Sequence, residues 1–372
     1  MDGDKHTKPT LIMSLRTQGR VLKEWVISHK KTSIAVFLLL CVGIGAGVTA
    51  FLLQQDTPEP TKKPAPVVKK KPAPKKYYSP LTGLEVADEA ATKANVTAIM
   101  IENSPDARPQ SGLQPANIVY EAIAEGGITR FAALYQQDRP ELIGPVRSLR
   151  MYYLDWVAPY DASIAHVGGS LFSLQEVRNG TYRDIDQFHH PDTYWRATDR
   201  YAPHNVYTSF AHLDALNASL NYANSNPQPL QRQETMPAGA AATSVQVTMS
   251  SPTYNSTWAY SPENANYHRS QGGAPHVDRE HGQITADVVV ILKMQMNHVM
   301  EDGWRENYHT SGTGDAVVFA QGMAHEVTWH KENMRAQLSF TSKVDGAPFN
   351  LPRGKTWISA IPVNEGGAVS WQ

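Results

Sequence analysis

The stretch 118–136, IVYEAIAEGGITRFAALYQ, decides the fold class that the sequence predicts. Its two halves, Ile118–Ala124 and Arg130–Gln136, are rich in the β-branched and aromatic residues that favour strands. The triplet Glu125-Gly126-Gly127 between them predicts a turn, because glycine adopts the positive φ angles that tight turns need. The stretch therefore predicts two neighbouring strands in the core of a sheet.

Further strands and a few helices are predicted on both sides of this pair. The first half has strands at Val96–Ile101 and Ala162–Val167 and helices at Ser148–Val157, Ser170–Val177 and Ser209–Tyr222. Beyond residue 243 strands dominate: Ser244–Met249, Thr257–Tyr260, Tyr267–Arg269, Asp287–Leu292, Ala316–Phe319, Ala336–Phe340 and Thr356–Ile361. We therefore expect an α+β fold, a layered sheet/helix sandwich ectodomain with a strand-rich C-terminal part, preceded by one transmembrane helix.

The charge of the chain is strongly segregated. The 372 residues hold 34 Lys+Arg and 35 Asp+Glu, a net charge of −1, which excludes a generally basic nucleic-acid-binding protein. Residues 1–78 hold 14 basic and 5 acidic residues, whereas residues 79–372 hold 20 and 30. A basic end and an acidic body indicate two environments, and no nucleic acid is expected as a partner of the ectodomain.

The segment Ser33–Leu53 has 21 residues and no charge, and predicts a transmembrane helix that contacts the lipid bilayer. A helix of this length spans about 30 Å, the thickness of the hydrocarbon core. The alternatives are a buried core helix, a cleaved signal, or lipid attachment at the single cysteine, Cys41. Because 32 residues come before the segment and its apolar run is longer than that of a cleaved signal, we expect an uncleaved signal anchor in the cell membrane. Lys30 and Lys31 adjoin the segment, which predicts a cytoplasmic N-terminus and an extracytoplasmic body.

The composition divides the chain into seven parts. They are a cytoplasmic basic N-terminus (1–32), the transmembrane helix (33–53), a Lys/Pro-rich linker (54–78), an N-terminal domain (79–223), a connecting loop (224–243), a C-terminal domain (244–362) and a tail (363–372). Alternating lysine and proline favour an extended polyproline II spacer in the linker. Its charge would suit an anionic cell wall, although a solvated linker with no partner fits equally well.

Four arginines close together in the acidic body indicate an anion-binding site. Ser148, at the start of a predicted helix, adds free backbone N–H groups near two of them. The alternative is that these arginines pair with carboxylates and stabilise the fold. The arginines are Arg108, Arg130, Arg147 and Arg150, and their candidate partners are Glu102, Glu121, Glu125 and Asp155.

Histidines next to glycine turns or carboxylates are the other candidates. The segment His166–Ser170 could hold a nucleophile or a phosphate, but Ser170 could equally be an ordinary helix cap. His204 with Asn205, and His276 with Asp278, could each supply a general base, or could make ordinary hydrogen bonds. The sequence has no GxSxG, Walker or HExxH motif, and we predict no cofactor and no metal site.

Several ordered motifs resemble the YerB-like lipoprotein family, a domain of unknown function with N-terminal and C-terminal parts. They lie at 101–113, 119–122, 125–131, 143–148, 166–170, 202–209, 269–278 and 351–358, within a region from about Ser79 to Pro362. The resemblance implies an exported, membrane-attached protein with a layered α/β sandwich and a C-terminal companion domain. It implies no reaction, cofactor or catalytic residue. A long apolar segment stands here where many relatives have a lipidated cysteine.

Two functions from different classes fit these observations. The first is a binding or scaffold module for an anionic or carbohydrate component of the cell envelope, or for a partner protein. Its candidate ligand-binding residues are Arg108, Arg130, Arg147, Ser148, Arg150, His166, Ser170, His204, Asn205, His276 and Asp278. The second is a hydrolase or transferase of a cell-wall polymer, with His166 or His204 as base and Glu102 or Glu121 as acid. A scaffold with no small ligand is a third reading.

Overall fold

The computed structural model describes residues 23–53, 75–299 and 305–372. These residues belong to two compact units, Met1–Ala73 and Pro74–Gln372, which are described separately. Most of the predicted basic N-terminus and most of the linker lie outside the described residues. The second unit contains the large hydrophobic core and all the candidate site residues.

The first unit contains the predicted apolar helix, α1 (Lys30–Leu53). Within it, Lys30–Ala50 has a mean hydropathy of 2.3 and is not buried inside the structure. Among the described residues, this is the one helix that is long and apolar enough to cross a membrane. The predicted apolar segment is therefore a continuous helix, which agrees with membrane attachment.

The second unit is dominated by strands. Its helices are α2 (Glu89–Thr92), α3 (Met151–Val157), α4 (Leu171–Val177) and α5 (Phe210–Ser219), with short 3₁₀ turns at Pro105–Ala107, Ala158–Tyr160, Pro191–Thr193 and Val363–Glu365. The strands of its first half are β1 (Tyr77–Tyr78), β2 (Glu85–Val86), β3 (Thr97–Glu102), β4 (Ile118–Glu125), β5 (Ile128–Tyr135), β6 (Ser163–His166), β7 (Arg183–Asp186), β8 (Trp195–Arg196) and β9 (Val206–Tyr207).

The second half of this unit supplies the remaining strands. They are β10 (Arg232–Gln233), β11 (Ala240–Ala241), β12 (Ser244–Thr248), β13 (Ser256–Ser261), β14 (Asn266–Gln271), β15 (Ala274–Pro275), β16 (Val277–Asp278), β17 (Gly282–Gln283), β18 (Thr285–Ala286), β19 (Val288–Met294), β20 (Met296–Val299), β21 (Arg305–Tyr308), β22 (Gly312–Ala320), β23 (Met323–Lys331), β24 (Ser339–Ser342), β25 (Leu351–Pro352), β26 (Thr356–Pro362) and β27 (Ala368–Trp371).

One mixed sheet runs through both halves of this unit. Its main path is β11-β23-β22-β19-β26-β4-β5-β3-β6-β7, and the predicted pair β4 and β5 lies within it as an antiparallel hairpin. The halves join where β26 pairs in parallel with β4, with Thr356 opposite Ile118 and Ser359 opposite Glu121. Backbone hydrogen bonds therefore join the segments 79–223 and 244–362 in the sheet itself.

Strand β4 shows how the layers pack, because successive side chains of a strand face opposite sides of the sheet. Tyr120 stacks on Trp156 of helix α3, with ring centroids 5.5 Å apart. Glu121, on the other face, reaches Arg269 in β14, which belongs to a six-stranded second sheet. The observed architecture is thus a layered, strand-dominated α+β fold.

Two segments expected to be irregular contribute strands. The predicted connecting loop 224–243 includes β10, which pairs with β25, and β11, which pairs with β23 of the main sheet. The predicted tail 363–372 includes β27, which pairs with β12 in the second sheet. These short strands have no clear alternation of apolar and polar residues. Their conformation is fixed by pairing with strands that are distant in the sequence.

Candidate functional site

Glu121 is fully buried in an ion pair between the two halves of the second unit. One of its oxygens accepts a hydrogen bond from Arg269 at 2.7 Å, and the other accepts from Trp357 Nε1 at 2.9 Å and Ser359 Oγ at 3.0 Å. Neither the Glu121 nor the Arg269 side chain is exposed. Both carboxylate oxygens are bound and shielded from solvent, so Glu121 stabilises the fold and does not meet the requirement for a catalytic acid.

His276 extends this buried network and does not pair with Asp278. Its Nδ1 accepts from Arg269, and its Nε2 donates to Gln110 Oε1 at 2.9 Å. Burial, with the nearby Arg269 and Arg108, lowers the pKa of His276 well below its usual value, so the ring is neutral. The predicted base–carboxylate pair of His276 and Asp278 is therefore wrong.

Asp278 holds a turn instead. Its carboxylate accepts from the backbone N–H of Gln114 at 3.0 Å, of Glu280 at 3.1 Å and of His281 at 3.0 Å. The ligand atoms of Asp278, Glu280 and His281 lie within 4.8 Å of one another, which is close enough to hold a cation. Because the Asp278 carboxylate is already engaged by backbone donors, these three residues are explained as a turn.

Two of the four predicted arginines form a compact triad with Glu125. Arg130 lies 3.0 Å from one Glu125 oxygen, and Arg150 contacts the other. Arg130 also donates to the carbonyl of Ser148, and Arg150 to that of Leu149. Burial alone would raise the pKa of Glu125, but the two guanidinium groups lower it to about 2. Arg130 and Arg150 thus pair with a carboxylate and stabilise the fold, which is the alternative to an anion-binding site.

Arg108 also makes a hydrogen bond within the protein through each of its three nitrogens. Its Nε donates to Asn103 Oδ1 at 3.1 Å, while its two terminal nitrogens donate to the carbonyls of Asn103 and Thr253. The guanidinium lies 5.3 Å from the ring centroid of Tyr254. Arg108 therefore ties the 103–110 segment to the C-terminal half, and each of its three nitrogens already makes one hydrogen bond.

His166 and Ser170 organise the glycine turn between β6 and α4. The two ring nitrogens of His166 face the Gly168 carbonyl at 2.7 Å and Asp184 Oδ1 at 2.9 Å. Its side chain is completely buried. Ser170 accepts from Ser173 N at 3.3 Å as the N-cap of α4. Both residues have structural roles, and Ser170 is an ordinary helix cap.

Ser148 and Asn205 also differ from their predicted roles. Helix α3 begins at Met151 with Arg150 as N-cap, so Ser148 is not the cap. The residues before α3 pair with distant strands, because Arg147 N donates to the Met100 carbonyl and Val146 N to the Val206 carbonyl. Asn205 is buried and accepts from Arg196 at 2.8 Å, which holds the loop that carries His204.

The remaining candidates, Glu102, Arg147 and His204, come together at the C-terminal end of β3, and with Ser104 they form what we term the β3 site. His204 Nδ1 lies 2.8 Å from Glu102 Oε1, and Ser104 Oγ donates to the same oxygen at 2.9 Å. Arg147 Nε lies 3.3 Å from Glu102 Oε2. The side chains of His204 and Arg147 are each 23% exposed, whereas that of Glu102 is 5% exposed.

The β3 site has the groups needed for both binding and proton transfer. No described residue accepts a hydrogen bond from the two terminal nitrogens of Arg147, so they can donate to an anion. The contact with Glu102 directs His204 Nε2 away from the carboxylate and towards Asp106, whose Oδ2 is 3.9 Å away on an exposed side chain. The site therefore combines an available guanidinium with an imidazole oriented by a buried carboxylate.

Comparisons with known proteins place this α+β unit in a family. Residues 81–223 and 245–358 match the N-terminal and C-terminal domains of the protein of unknown function DUF3048. A relative from Bacillus subtilis (strain 168), named "Putative lipoprotein YerB", is 31% identical over 304 residues, which cover 80% of this chain and 89% of the relative. The chain belongs to the DUF3048 family, which confirms the YerB-like resemblance.

The fold is shared as well. The crystal structure of the YerB protein from Bacillus subtilis matches with a TM-score of 0.71 and 29% sequence identity. The match covers 79% of this chain and 99% of that chain. The layered, strand-rich fold of residues 74–372 is therefore a feature that this chain shares with a solved relative.

Proposed function

We propose that the protein is a membrane-anchored, extracytoplasmic binding module for an anionic, carbohydrate-like component of the cell envelope, which it holds at the β3 site. The observation that carries this proposal is that Arg147, alone of the four predicted arginines, has both terminal nitrogens available at a partly exposed surface. The neighbouring carboxylates of Glu102 and Asp106 could accept hydrogen bonds from hydroxyl groups. A hydroxylated ligand with a negative charge uses both kinds of group.

The proposed location rests on the sequence around α1. Lys30 and Lys31 adjoin the apolar helix, which supports a cytoplasmic N-terminus and a single pass through the membrane. The family relationship to a protein named as a lipoprotein supports an extracytoplasmic body. A binding module at this place would act where envelope polymers are within reach of the ectodomain.

Arg147→Gln should weaken the retention of the protein on purified cell wall by about tenfold, because one charge-assisted contact is lost. Retention of the full-length chain in uncharged detergent on sedimented wall material measures this. Lys343→Gln is the matched control, since Lys343 also pairs with a carboxylate, Asp315, but lies in the turn that follows β24. Wild-type retention of Arg147→Gln would contradict the assignment of the β3 site.

A second function, hydrolysis of or transfer to a wall polymer, is favoured by the contact between His204 and Glu102. A carboxylate bound to Nδ1 leaves Nε2 of a histidine as a general base. In this reading Arg147 would stabilise negative charge in the transition state.

His204→Gln should then reduce the release of soluble products from wall material by about 10²–10⁴-fold, the usual contribution of a general base. Chromatography of the products released by the full-length protein measures the rate. His212→Gln is the control, because His212 is an exposed histidine of α5 whose ring contacts Trp195. If wild-type protein releases nothing, or if His204→Gln releases as much, the catalytic reading is rejected and binding remains.

A further inference from the structure

A groove of about 460 Å³ lies near the other end of β3 from the β3 site. It is lined by Lys93, which comes before β3 begins, by residues 226–227 and 229–232, and by Arg353. Six strand residues span about 20 Å, so the groove is separate from the cluster at Glu102. Neither of the two proposed functions uses it.

The groove has a marked charge bias within an acidic ectodomain. Among the described residues that line it, Lys93, Arg232 and Arg353 are cationic and none carries a carboxylate. Lys93 pairs with Glu89 at 3.0 Å, and Arg353 pairs with Glu234 at 3.1 Å. The Glu89 and Glu234 side chains are 58% and 71% exposed. Exposed ion pairs are weak, so a ligand anion can compete for both cations.

Arg232 supplies a fixed positive charge in the groove. Its NH1 donates to the Pro352 carbonyl and to Thr356 Oγ1, both at 2.8 Å, and its NH2 donates to the Leu81 carbonyl. Its Nε is buried and has no hydrogen-bond partner. Among the described residues, no carboxylate lies within ion-pair distance of Arg232. The guanidinium is thus held directly by neutral acceptors, and the Asp287 carboxylate acts on it only from beyond ion-pair distance.

The turn at Ser79–Leu84 is shaped to fit both arginines. Gly83 has φ +70°, and a Cβ there would lie 2.8 Å from Arg232 Cγ and 3.1 Å from Arg353 Cγ. A side chain at this position would displace both arginine stems. The Arg353 guanidinium also stacks over the Tyr78 ring, 4.4 Å from its centroid. The two guanidinium groups are therefore held in place before any ligand arrives.

We propose that this groove is a second anion-binding site, which takes consecutive phosphate groups of an extended polyanion. Because three cations line one groove, a chain with repeated negative charges should bind there with higher affinity than a single anion. The fork of Arg353 and the point charge of Lys93 are the usual partners of phosphate oxygens. Arg232, whose terminal nitrogens already donate within the protein, adds only its charge. This proposal concerns a different place from the β3 site and does not depend on it.

Titration of linear polyphosphate into the full-length protein in uncharged detergent tests the proposal. We expect Lys93→Gln and Arg353→Gln together to weaken binding by at least about tenfold, and the salt dependence of binding to become shallower. Lys343→Gln, which removes an equally ion-paired lysine outside the groove, should leave the affinity unchanged. Glu234→Gln should strengthen binding, because it removes the carboxylate that competes for Arg353.

Three results would overturn the proposal. The first is wild-type affinity in the double variant, and the second is an equal loss in Lys343→Gln, which would indicate nonspecific attraction. The third is equal affinity for polyglutamate, which would remove the preference for phosphate. Lys93→Gln alone keeps the test valid if Arg353→Gln disturbs folding, because the Lys93 side chain is 59% exposed. Arg147→Gln should leave polyphosphate binding intact, so failure of this proposal is distinguishable from failure of the β3 site.

Discussion

Replacing Arg269 with methionine should lower the free energy of unfolding by about 3–5 kcal/mol, the usual cost of breaking a buried ion pair. The substitution leaves Glu121 as a charge with no counter-ion in a fully buried position. It also removes the cation that lies 4.6 Å from the Trp357 ring centroid and that donates to His276. Urea unfolding of the full-length chain, followed by tryptophan fluorescence, measures the change.

A second variant separates the effect of the unpaired buried charge on stability from the effect of lost packing. The pair Glu121→Met with Arg269→Met removes both charges and should recover much of the stability, since a hydrophobic pair of similar volume often replaces a buried ion pair at little cost. Arg279→Met is the matched control, because its ion pair with Asp199 is exposed and should contribute little to stability. A loss below about 1 kcal/mol in Arg269→Met would contradict the structural role given to this pair.

This ion pair also bears on how the two family domains form one body. Glu121 lies on β4, which pairs in parallel with β26, and Arg269 lies on the second sheet. A main sheet shared by both halves exposes unpaired backbone groups if either half is removed. We therefore interpret the two family domains as parts of a single folding unit that meet around Glu121.

The sequence predicted the local features of this fold well. The hairpin at 118–136 was predictable because its strand residues and its glycine turn lie next to one another. Ser170 and Ser209 do cap helices, since a cap depends on residues three positions away. Ser148 does not, because backbone hydrogen bonds to distant strands hold residues 146 and 147 and delay the start of α3.

The composition of the candidate site was only partly predictable. Glu102, Arg147 and His204 were each named from the sequence, but their meeting at one point requires the fold, since Glu102 and His204 are 102 residues apart. Arg269 and Gln110 were missed although their buried partners, Glu121 and His276, were named, because the sequence does not show which residues lie opposite each other in the fold. Buried arginine usually has a carboxylate partner, and this signal could have drawn attention to Arg269 in a predicted strand.

Replacing Glu125 with glutamine should lower the free energy of unfolding by about 2 kcal/mol near neutral pH. The variant leaves Arg130 and Arg150, whose side chains are 3% and 7% exposed, without their shared counter-charge. The lowering of the Glu125 pKa from 4.5 to about 2 corresponds to about 3 kcal/mol, which we reduce because this side chain is 37% exposed. Glu234→Gln, which removes a largely exposed carboxylate, is the control and should change stability little.

The pH dependence of this difference tests its electrostatic origin. Because the folded pKa of Glu125 lies below the unfolded value, its stabilisation is complete above pH 4.5 and is lost as the pH falls towards 2. Glutamine has no such transition, so the wild type and Glu125→Gln should converge in acid. Urea unfolding of both proteins at pH 7, 4 and 3 measures the gap. A gap that stays constant across this range would mean that Glu125 acts through packing, and that Arg130 and Arg150 are stabilised by their carbonyl contacts at Ser148 and Leu149.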